Sequence, residues 1–309
     1  MRLVFAGTPD AAVPSLRLLA ASDHEIVAVV TRRDAPVGRK RVITPSPIGI
    51  VAEELGIETI KTDRLDEAAT QRIAALAADL GVIVAYGGLV REPLLSSPAH
   101  GWINLHFSLL PRWRGAAPVQ HALIAGDPVT GASVFQLVAA LDAGDVFAER
   151  SYVVPDGATA GVVLDALASE GAQLLNDVVN AIAAGTAVAV AQTGEPTLAP
   201  KLDDADGRIR WDAPRESVLA RIRGVTPEPG AHTTVDGARL KVLSARAAPH
   251  DAPPLEPGLL AEHGRALLAG TATEPVILDR LQPAGKSPMD AADWWRGRRG
   301  DAESARAGS

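Results

Sequence analysis

The sequence predicts a doubly wound, mostly parallel α/β sheet over its first two thirds and a small β-barrel after it. Short apolar runs alternate with amphipathic helical segments up to about residue 184, which is the βαβα pattern of a parallel sheet. The run at residues 82–85 is continuously apolar and the run at 102–105 is apolar except for Asn104, as expected of strands covered on both faces. Beyond residue 184, short alternating runs are separated by turns with Gly and Pro, which is typical of a small barrel.

The predicted elements of the first part follow in chain order. Residues 3–6 predict a buried strand that ends at Gly7, and apolar periodicity predicts a helix over residues 11–21. A helix over residues 47–55 has Ser46 as its N-cap and is ended by Gly56. The other predicted elements are strands at 26–31, 58–60 and 132–139 and helices at 66–80 and 159–184. In such a sheet we expect the active site at the carboxyl ends of the strands.

The second part begins with a segment rich in Pro and Asp, which reads as a connection. We therefore divide the chain into a domain at residues 1–192, a linker at 193–207 and a second domain at 208–309. In the second domain a helix at 214–224 precedes strands at 232–235 and 239–243. Residues 302–309 are expected to form a frayed tail.

Composition restricts the chemistry. The chain has 309 residues, a net charge of -7 and no cysteine, which excludes disulfides, thiolate nucleophiles and Cys-based zinc sites. No leader pattern or apolar stretch of spanning length is visible, so we expect a cytoplasmic protein without a membrane partner. From Asp206 onward 15 Lys and Arg accompany 14 Asp and Glu, against 15 and 23 before it. This asymmetry permits RNA binding through local patches, but a solvated surface explains it as well.

Two polar residues, Asn104 and His106, close the apolar strand at residues 102–105. Strand alternation places both side chains on one face, where a doubly wound sheet binds its ligand. A carboxamide and an imidazole can together stabilise the oxyanion of an acyl-transfer intermediate. From the residues alone, a buried polar pair that caps the strand end is an open alternative.

A carboxylate partner for His106 is expected at Asp142, which follows the predicted strand at 132–139. Such a group would fix the tautomer of the histidine and help to move protons. The flanking Gly144 and Asp145 leave open an ordinary turn.

Longer motifs surround these three residues. The run NLHFSLLPRWRGAAPVQHALIAGD from Asn104, followed by TGASVFQLVAALDAGDV, resembles the signature of the folate-dependent formyltransferases, and RWRGAAP resembles the methionyl-tRNA formyltransferases among them. FAGTPD, TPSPIGIVAEELGI, ADLGVIVAYG, APKLDDADGRIRWD and GKSPMDAADWWRGRR resemble the same family, so the likeness covers nearly the whole chain. The family fold is a Rossmann-like catalytic domain, a linker and an OB-like barrel.

The resemblance implies an activity and a set of site residues. Asn104, His106 and Asp142 would be the catalytic trio, and Ser108, Leu109, Leu110 and Pro111 the folate-binding signature. The donor would be 10-formyltetrahydrofolate, the acceptor the amino group of methionyl-initiator tRNA, and no metal is expected. We also expect a monomer. No nicotinamide cofactor is implied, because FAGTPDAA lacks the G-x-G-x-x-G spacing.

A basic loop follows the second strand and holds Arg39, Lys40 and Arg41. In the family a loop at this place reaches the tRNA acceptor stem, so these three residues are the predicted tRNA contacts, although a solvated loop is the alternative from composition. The chain departs from the family where GRGKK is common, since it lacks one glycine there. It also has Ala11 where an aromatic residue is usual.

Other functions remain open at this point. Glycinamide ribonucleotide and sugar-nucleotide formyltransferases share the Asn, His and Asp trio, whereas Trp113, the basic loop and the large second domain favour a tRNA substrate. A non-catalytic RNA-binding protein with a decayed folate site is the alternative from another class, and the intact trio argues against it.

Overall fold

The computed structural model describes residues 1–38, 40–298 and 305–308, which form two compact units. The first comprises Met1–Pro118, Val129–Val153 and Leu164–Pro200, and the second comprises Val119–Pro128, Val154–Val163 and Lys201–Ser309. The predicted boundaries at 192/193 and 207/208 stay predictions, and two short segments from the predicted first domain belong to the second unit.

The elements of the first part alternate between strands and helices. In chain order they are β1 Arg2–Gly7, α1 Val13–Ala20, β2 Glu25–Thr31, β3 Ala35–Val37, β4 Val42–Thr44, α2 Pro47–Glu54, β5 Thr59–Lys61, α3 Glu67–Ala75, β6 Leu80–Val84, β7 Trp102–His106, α4 Pro118–Ala125, β8 Val129–Gln136, β9 Val146–Val153 and α5 Ala160–Ala183. Seven strands form one sheet in the order β5-β2-β1-β6-β7-β8-β9. The pairs up to β6–β7 are parallel, and β7–β8 and β8–β9 are antiparallel, so the sheet is mixed.

The burial pattern differs between the parallel strands of this sheet and its antiparallel edge strand. The central strands are apolar on both faces, and Leu3, Val4 and Phe5 of β1 have no exposed surface. Strand β9 instead alternates between exposed and half-buried residues, as an antiparallel edge strand with one wet face does. The mostly parallel sheet predicted from the apolar runs is therefore confirmed for the five strands from β5 to β7 in the sheet order.

Three predicted segments differ from the structure, the first being the strand expected at 132–139, which is β8, Val129–Gln136. Helix α3 ends at Ala75 and not near residue 80, because Ala77 has a left-handed backbone with φ 48° that no helix can continue through. The predicted basic loop contains a β-hairpin, in which β3 pairs antiparallel with β4.

The second unit is built on an antiparallel sheet. Its further elements are α6 Arg215–Gly224, β10 His232–Val235, β11 Ala238–Ala247, β12 Leu260–His263, β13 Ala266–Ala269, β14 Val276–Pro283, β15 Met289–Asp290 and α7 Ala291–Arg296. The strand order is β10-β11-β14-β13-β12, and β15 pairs with β14. Val218 and Ile222 of α6 join the core that also contains Leu240 and Leu278 of the sheet. Within the described residues β10 and β12 do not pair with each other, so this is an open antiparallel sheet with two edges.

Residues 305–308 correct the prediction of a frayed tail. Ala305 and Ala307 are buried in the core of the second unit. Leu260 N–H donates to the carbonyl of Ala305 at 2.9 Å, and Gly308 N–H donates to the carbonyl of Thr234 at 2.7 Å. This short segment therefore hydrogen-bonds to both edge strands, β10 and β12. The predicted tail residues 302–304 and 309 lie outside the described residues.

No helix in the described part of the chain is both long and apolar enough to cross a membrane.

Candidate active site

The end of β7 places Asn104 and His106 on one face of the first sheet. Their backbones pair with Phe135 and Ser133 of β8, which fixes the register of the strand end. Asn104 is half-buried and His106 is 6% exposed. Asn104 Oδ1 is buried and has no hydrogen-bond partner among the described residues. The carboxamide oxygen therefore makes no hydrogen bond within the described structure, in contrast to most buried polar groups.

The segment after β7 turns back over the histidine. His106 Nε2 lies 2.9 Å from the carbonyl oxygen of Trp113, which has a left-handed backbone with φ 61°. Because a carbonyl oxygen only accepts, Nε2 must carry a proton and donate it there. Nδ1, the other ring nitrogen, faces the carboxylate of Asp142 at 3.9 Å. That distance is too long for a direct hydrogen bond but short enough for strong electrostatic coupling.

Asp142 lies in the turn between β8 and β9, and its backbone is left-handed with φ 44°. Its Oδ2 accepts from the backbone N–H of Gly115 at 2.8 Å. Gly115 has φ 127°, and a Cβ built on it would lie 2.5 Å from the carbonyl oxygen of Ala199, so only glycine can present its N–H there. Asp142 is thus a turn residue, as one interpretation of the sequence held, and also a buried carboxylate that faces His106.

The protonation state of His106 follows from two opposed influences. Burial, the larger one, lowers the pKa of His106 below its ordinary value of 6.5, whereas Asp142 and the Trp113 carbonyl raise it. The net direction is downward, so at neutral pH the ring is uncharged with its proton on Nε2. Nδ1 is then unprotonated and can accept a proton. The Asp142 carboxylate beside Nδ1 would stabilise the imidazolium that forms.

The predicted folate segment forms the turn between β7 and Trp113. Ser108 is fully buried, and its hydroxyl donates to the carbonyl of Arg112 at 2.6 Å. Leu110 N–H donates to Ser133 Oγ at 3.2 Å, and Ser133 Oγ lies 2.7 Å from the Ser108 carbonyl. These groups therefore shape the turn. Of the four predicted residues, Ser108, Leu109, Leu110 and Pro111, only Leu110 lines a surface cavity of about 310 Å³, with Val146–Glu149 of β9 and residues 190–193.

Two of the three predicted tRNA contacts, Lys40 and Arg41, are exposed in the turn of the β3–β4 hairpin. The third, Arg39, lies outside the described residues. Val37, Val42 and Ile43 are more than half exposed on the same hairpin. The hairpin therefore presents apolar and basic side chains together.

Models of two protein families match the chain: Formyl transferase over residues 1–179, and Formyl transferase, C-terminal domain, over residues 201–299. The chain belongs to the formyl transferase family. Two relatives named methionyl-tRNA formyltransferase agree with this over nearly their whole length. That of Clavibacter sepedonicus is 66% identical over 96% of this chain and 97% of its own, and that of Leifsonia xyli subsp. xyli is 59% identical over 98% and 99%. The resemblance seen in the motifs is thereby confirmed.

Solved structures of formyltransferases share the fold at low identity. A methionyl-tRNA formyltransferase from Clostridium thermocellum matches with a TM-score of 0.57 at 17% identity, over 82% of this chain and 95% of its own. An N-formyltransferase from Helicobacter canadensis, in complex with folinic acid and dTDP-3-aminofucose, matches with a TM-score of 0.69 at 15% identity, over 91% and 98%. These likenesses concern the fold alone.

Several groups around this formyltransferase site were not predicted from the sequence. The Trp113 carbonyl and the Gly115 N–H contact His106 and Asp142, and the Gln192 side chain contacts the backbone of Asp142. Backbone groups carry no residue-specific signal, and Gln192 stands in no motif. The described residues contain no group of three or more His, Asp or Glu that could hold a metal ion.

Proposed function

We propose that this protein transfers the formyl group of 10-formyltetrahydrofolate to the free amino group of methionyl-initiator tRNA. The observation that carries the proposal is the uncommitted carboxamide of Asn104 beside the buried pair of His106 and Asp142 at the end of β7. Relatives named for this reaction, 59% and 66% identical over nearly the whole chain, support the choice of acceptor.

The residues present fit a formyl group and an incoming amine. Asn104 offers one acceptor and two donors, and its buried Oδ1 lacks a partner among the described residues. The amide nitrogen donates to the formyl oxygen as negative charge develops there.

The reaction begins when the neutral amine of the methionyl ester attacks the formyl carbon. A carbon–nitrogen bond forms, negative charge develops on the formyl oxygen, and Asn104 stabilises that charge. His106 accepts the amine proton at Nδ1, because Nε2 is already protonated and donates to the Trp113 carbonyl. The carboxylate of Asp142 stabilises the resulting imidazolium. The bond from the formyl carbon to N10 then breaks, and the proton passes to N10.

The geometry separates two roles that the sequence assigned jointly to His106 and Asn104. In this conformation His106 directs neither a free N–H nor a charged ring toward the site, since Nε2–H is donated within the protein. The arrangement favours Asn104 as the oxyanion donor and His106 as the proton carrier. Ser108, Leu109, Leu110 and Pro111 are proposed to shape the folate-binding wall through their turn and not through the Ser108 hydroxyl, which is fully buried.

We further propose that the tRNA is held by Arg39, by Lys40 and Arg41 of the hairpin turn, and by the second unit, acting as an OB-like domain. The antiparallel sheet and the segment 305–308, bonded to both of its edges, support an OB-like architecture. The proposed division remains a catalytic domain at 1–192, a linker at 193–207 and a tRNA-binding domain at 208–309. A cytoplasmic monomer is the proposed form.

The test is transfer of a labelled formyl group from 10-formyltetrahydrofolate to three acceptors: charged initiator tRNA, glycinamide ribonucleotide and an amino-sugar nucleotide. We expect label on the tRNA alone, as a product that base releases as formylmethionine. Transfer to either small acceptor at a higher kcat/KM would replace the tRNA in this proposal. No transfer to any acceptor, with intact tRNA binding, would point to an RNA-binding protein without the enzyme activity.

A further inference from the structure

The side chain of Gln192 contacts the backbone of the turn that carries Asp142. Its Nε2 donates to the carbonyl of Asp142 at 2.8 Å and to the carbonyl of Gly144 at 2.8 Å. A carboxamide nitrogen has two hydrogens, so both are used. Since φ of Asp142 is 44°, a conformation in which an L-residue is strained, the turn needs external contacts to stay in this form.

The orientation of the Gln192 amide is determined by its other partner. Oε1 accepts from Arg114 Nε at 3.2 Å and from Arg114 Nη2 at 2.6 Å. A guanidinium only donates, so the amide oxygen must face Arg114 and the NH₂ group must face the two carbonyls. Both hydrogens and the oxygen of the amide are therefore hydrogen-bonded within the protein. Through these bonds the amide joins two separate segments of the first unit.

Those two segments carry the groups that set the relation between His106 and Asp142. Arg114 stands between Trp113, whose carbonyl accepts from His106, and Gly115, whose N–H holds Asp142 Oδ2. The Asp142 turn is the second segment. Gln192 thus links the segment that fixes the imidazole to the turn that fixes the carboxylate.

Gln192 is itself anchored on both sides along the chain. Val190 exchanges two backbone hydrogen bonds with Val146 at the start of β9, at 2.8 and 2.9 Å. On the other side Arg114 N–H donates to the Thr197 carbonyl at 2.8 Å, and Ala199 N–H donates to the Arg114 carbonyl at 2.7 Å. Backbone pairing before and after Gln192 therefore fixes this part of the chain. Such rigidity is required of a side chain that positions other groups.

We propose that Gln192 is a positioning residue for formyl transfer, which holds the Asp142 carboxylate at its working distance from His106 Nδ1. The inference rests on the proposed function for its kinetic consequence, but the contact it describes exists without substrate. Loss of the amide frees the Asp142 turn from the Arg114 segment. The carboxylate then stabilises the protonated imidazole less well, and proton transfer slows.

The experiment uses the full chain with Gln192→Met, which keeps the length of the side chain and removes both kinds of hydrogen bond without adding charge. We expect kcat for methionyl-tRNA to fall about tenfold to a hundredfold with little change in KM, as for a small misplacement of a reacting group. NMR titration of His106 should show its pKa lower than in the parent, because Asp142 raises that pKa. In the Asp142→Asn background the same substitution should no longer move it.

Gln192→Glu keeps the acceptor for Arg114 but cannot donate to the two carbonyls, and it should also lose turnover. Gln71→Met is the matched control, because Gln71 lies exposed on α3 and its side chain donates to Glu67 at 3.2 Å, away from the site. An unchanged His106 pKa with a lower melting temperature would overturn the inference in favour of a purely structural role. Parent-like turnover and pKa in both Gln192 variants would overturn it too. Failure of the parent to formylate any tRNA would instead reject the proposed function, and the titration of His106 would still decide the role of Gln192.

Discussion

The carboxamide of Asn104 has a buried oxygen without a partner in the described part of the structure, which is costly for the folded state. Such a cost is typical of binding sites, where a ligand supplies the missing group. Activity and stability should therefore respond in different ways when this side chain is removed.

Asn104→Ala is expected to lower kcat about a hundredfold or more, because an oxyanion donor is lost. The melting temperature should stay within a few degrees of the parent value or rise, since no internal hydrogen bond of Oδ1 is broken. Initial-rate formylation assays measure kcat, and thermal unfolding of the same preparations measures the melting temperature. Turnover close to that of the parent would remove Asn104 from the site.

The pH dependence of turnover tests the pairing of His106 with Asp142. If neutral His106 accepts the proton, kcat rises with pH through the pKa of His106, which burial holds below 6.5. Asp142 raises that pKa, so Asp142→Asn should move the acid limb to lower pH and reduce the maximal rate. A profile of kcat against pH for both proteins shows in which direction the acid limb moves. An acid limb that moves upward or stays in place would contradict the assigned role of Asp142.

At this scale the sequence indicated side chains but not their backbone partners. Asn104, His106 and Asp142 could be predicted because they follow apolar strands and stand within recognisable motifs. The Trp113 carbonyl could not, since every residue has one and only the left-handed turn directs it at His106. The buried hydroxyl of Ser108 shows the opposite case, in which a motif residue shapes the fold.

Among the elements, the β3–β4 hairpin carries a prediction that follows from charge. Arg39→Ala and Arg41→Ala should each lower kcat/KM for charged initiator tRNA at least several-fold, because arginines at an RNA interface contact phosphates. Binding of 10-formyltetrahydrofolate should be unchanged. Tryptophan fluorescence titration with the folate, together with initial rates over a range of tRNA concentrations, separates the two effects.

Arg17→Ala is the control for these variants. Arg17 lies on α1, is half-exposed and pairs with Glu54 at 2.6 Å, a surface ion pair that contributes little to stability. Equal losses of tRNA efficiency in Arg17→Ala and in the Arg39 and Arg41 variants would indicate a general charge effect and reject these two arginines as tRNA contacts.

Element boundaries were predictable where burial alone decides them. The apolar runs located β1, β2, β6 and β7, and Ser46 capped α2 as expected by accepting from Gly49 N–H at 3.0 Å. The hairpin was not predicted, since Pro36 and the short exposed runs around it have no clear alternation. The early end of α3 depends on one left-handed residue, Ala77, and alanine gives no local sign of that conformation.

For the molecule as a whole, residues 305–308 matter to the stability of the second unit. Ala307 is 8% exposed and lies in a core with Trp211 and Val235. Ala307→Asp would bury a carboxylate there and should lower the free energy of unfolding by about 2 kcal/mol or more. Ala247→Asp, at an exposed position of β11, is the control. Urea unfolding followed by tryptophan fluorescence measures both, and equal stabilities would show that the segment does not pack as described.

The charge distribution predicts how the full chain meets its tRNA. With a net charge of -7, binding must depend on local basic groups that release counterions from phosphates. We expect the affinity for initiator tRNA to fall steadily as salt is raised from about 50 to 200 mM. Filter binding at several salt concentrations tests this. An affinity insensitive to salt would contradict binding through phosphates.

The hydrogen bonds of residues 305–308 to β10 and β12 can form only late in synthesis. These residues follow every strand of the second unit in the chain, so a ribosome completes all six strands before it adds them. Until then the backbone groups that these residues bond on β10 and β12 lack that partner, and such edges can pair with other nascent chains. The second unit should therefore need chaperones most during the interval before residues 305–308 are added and paired.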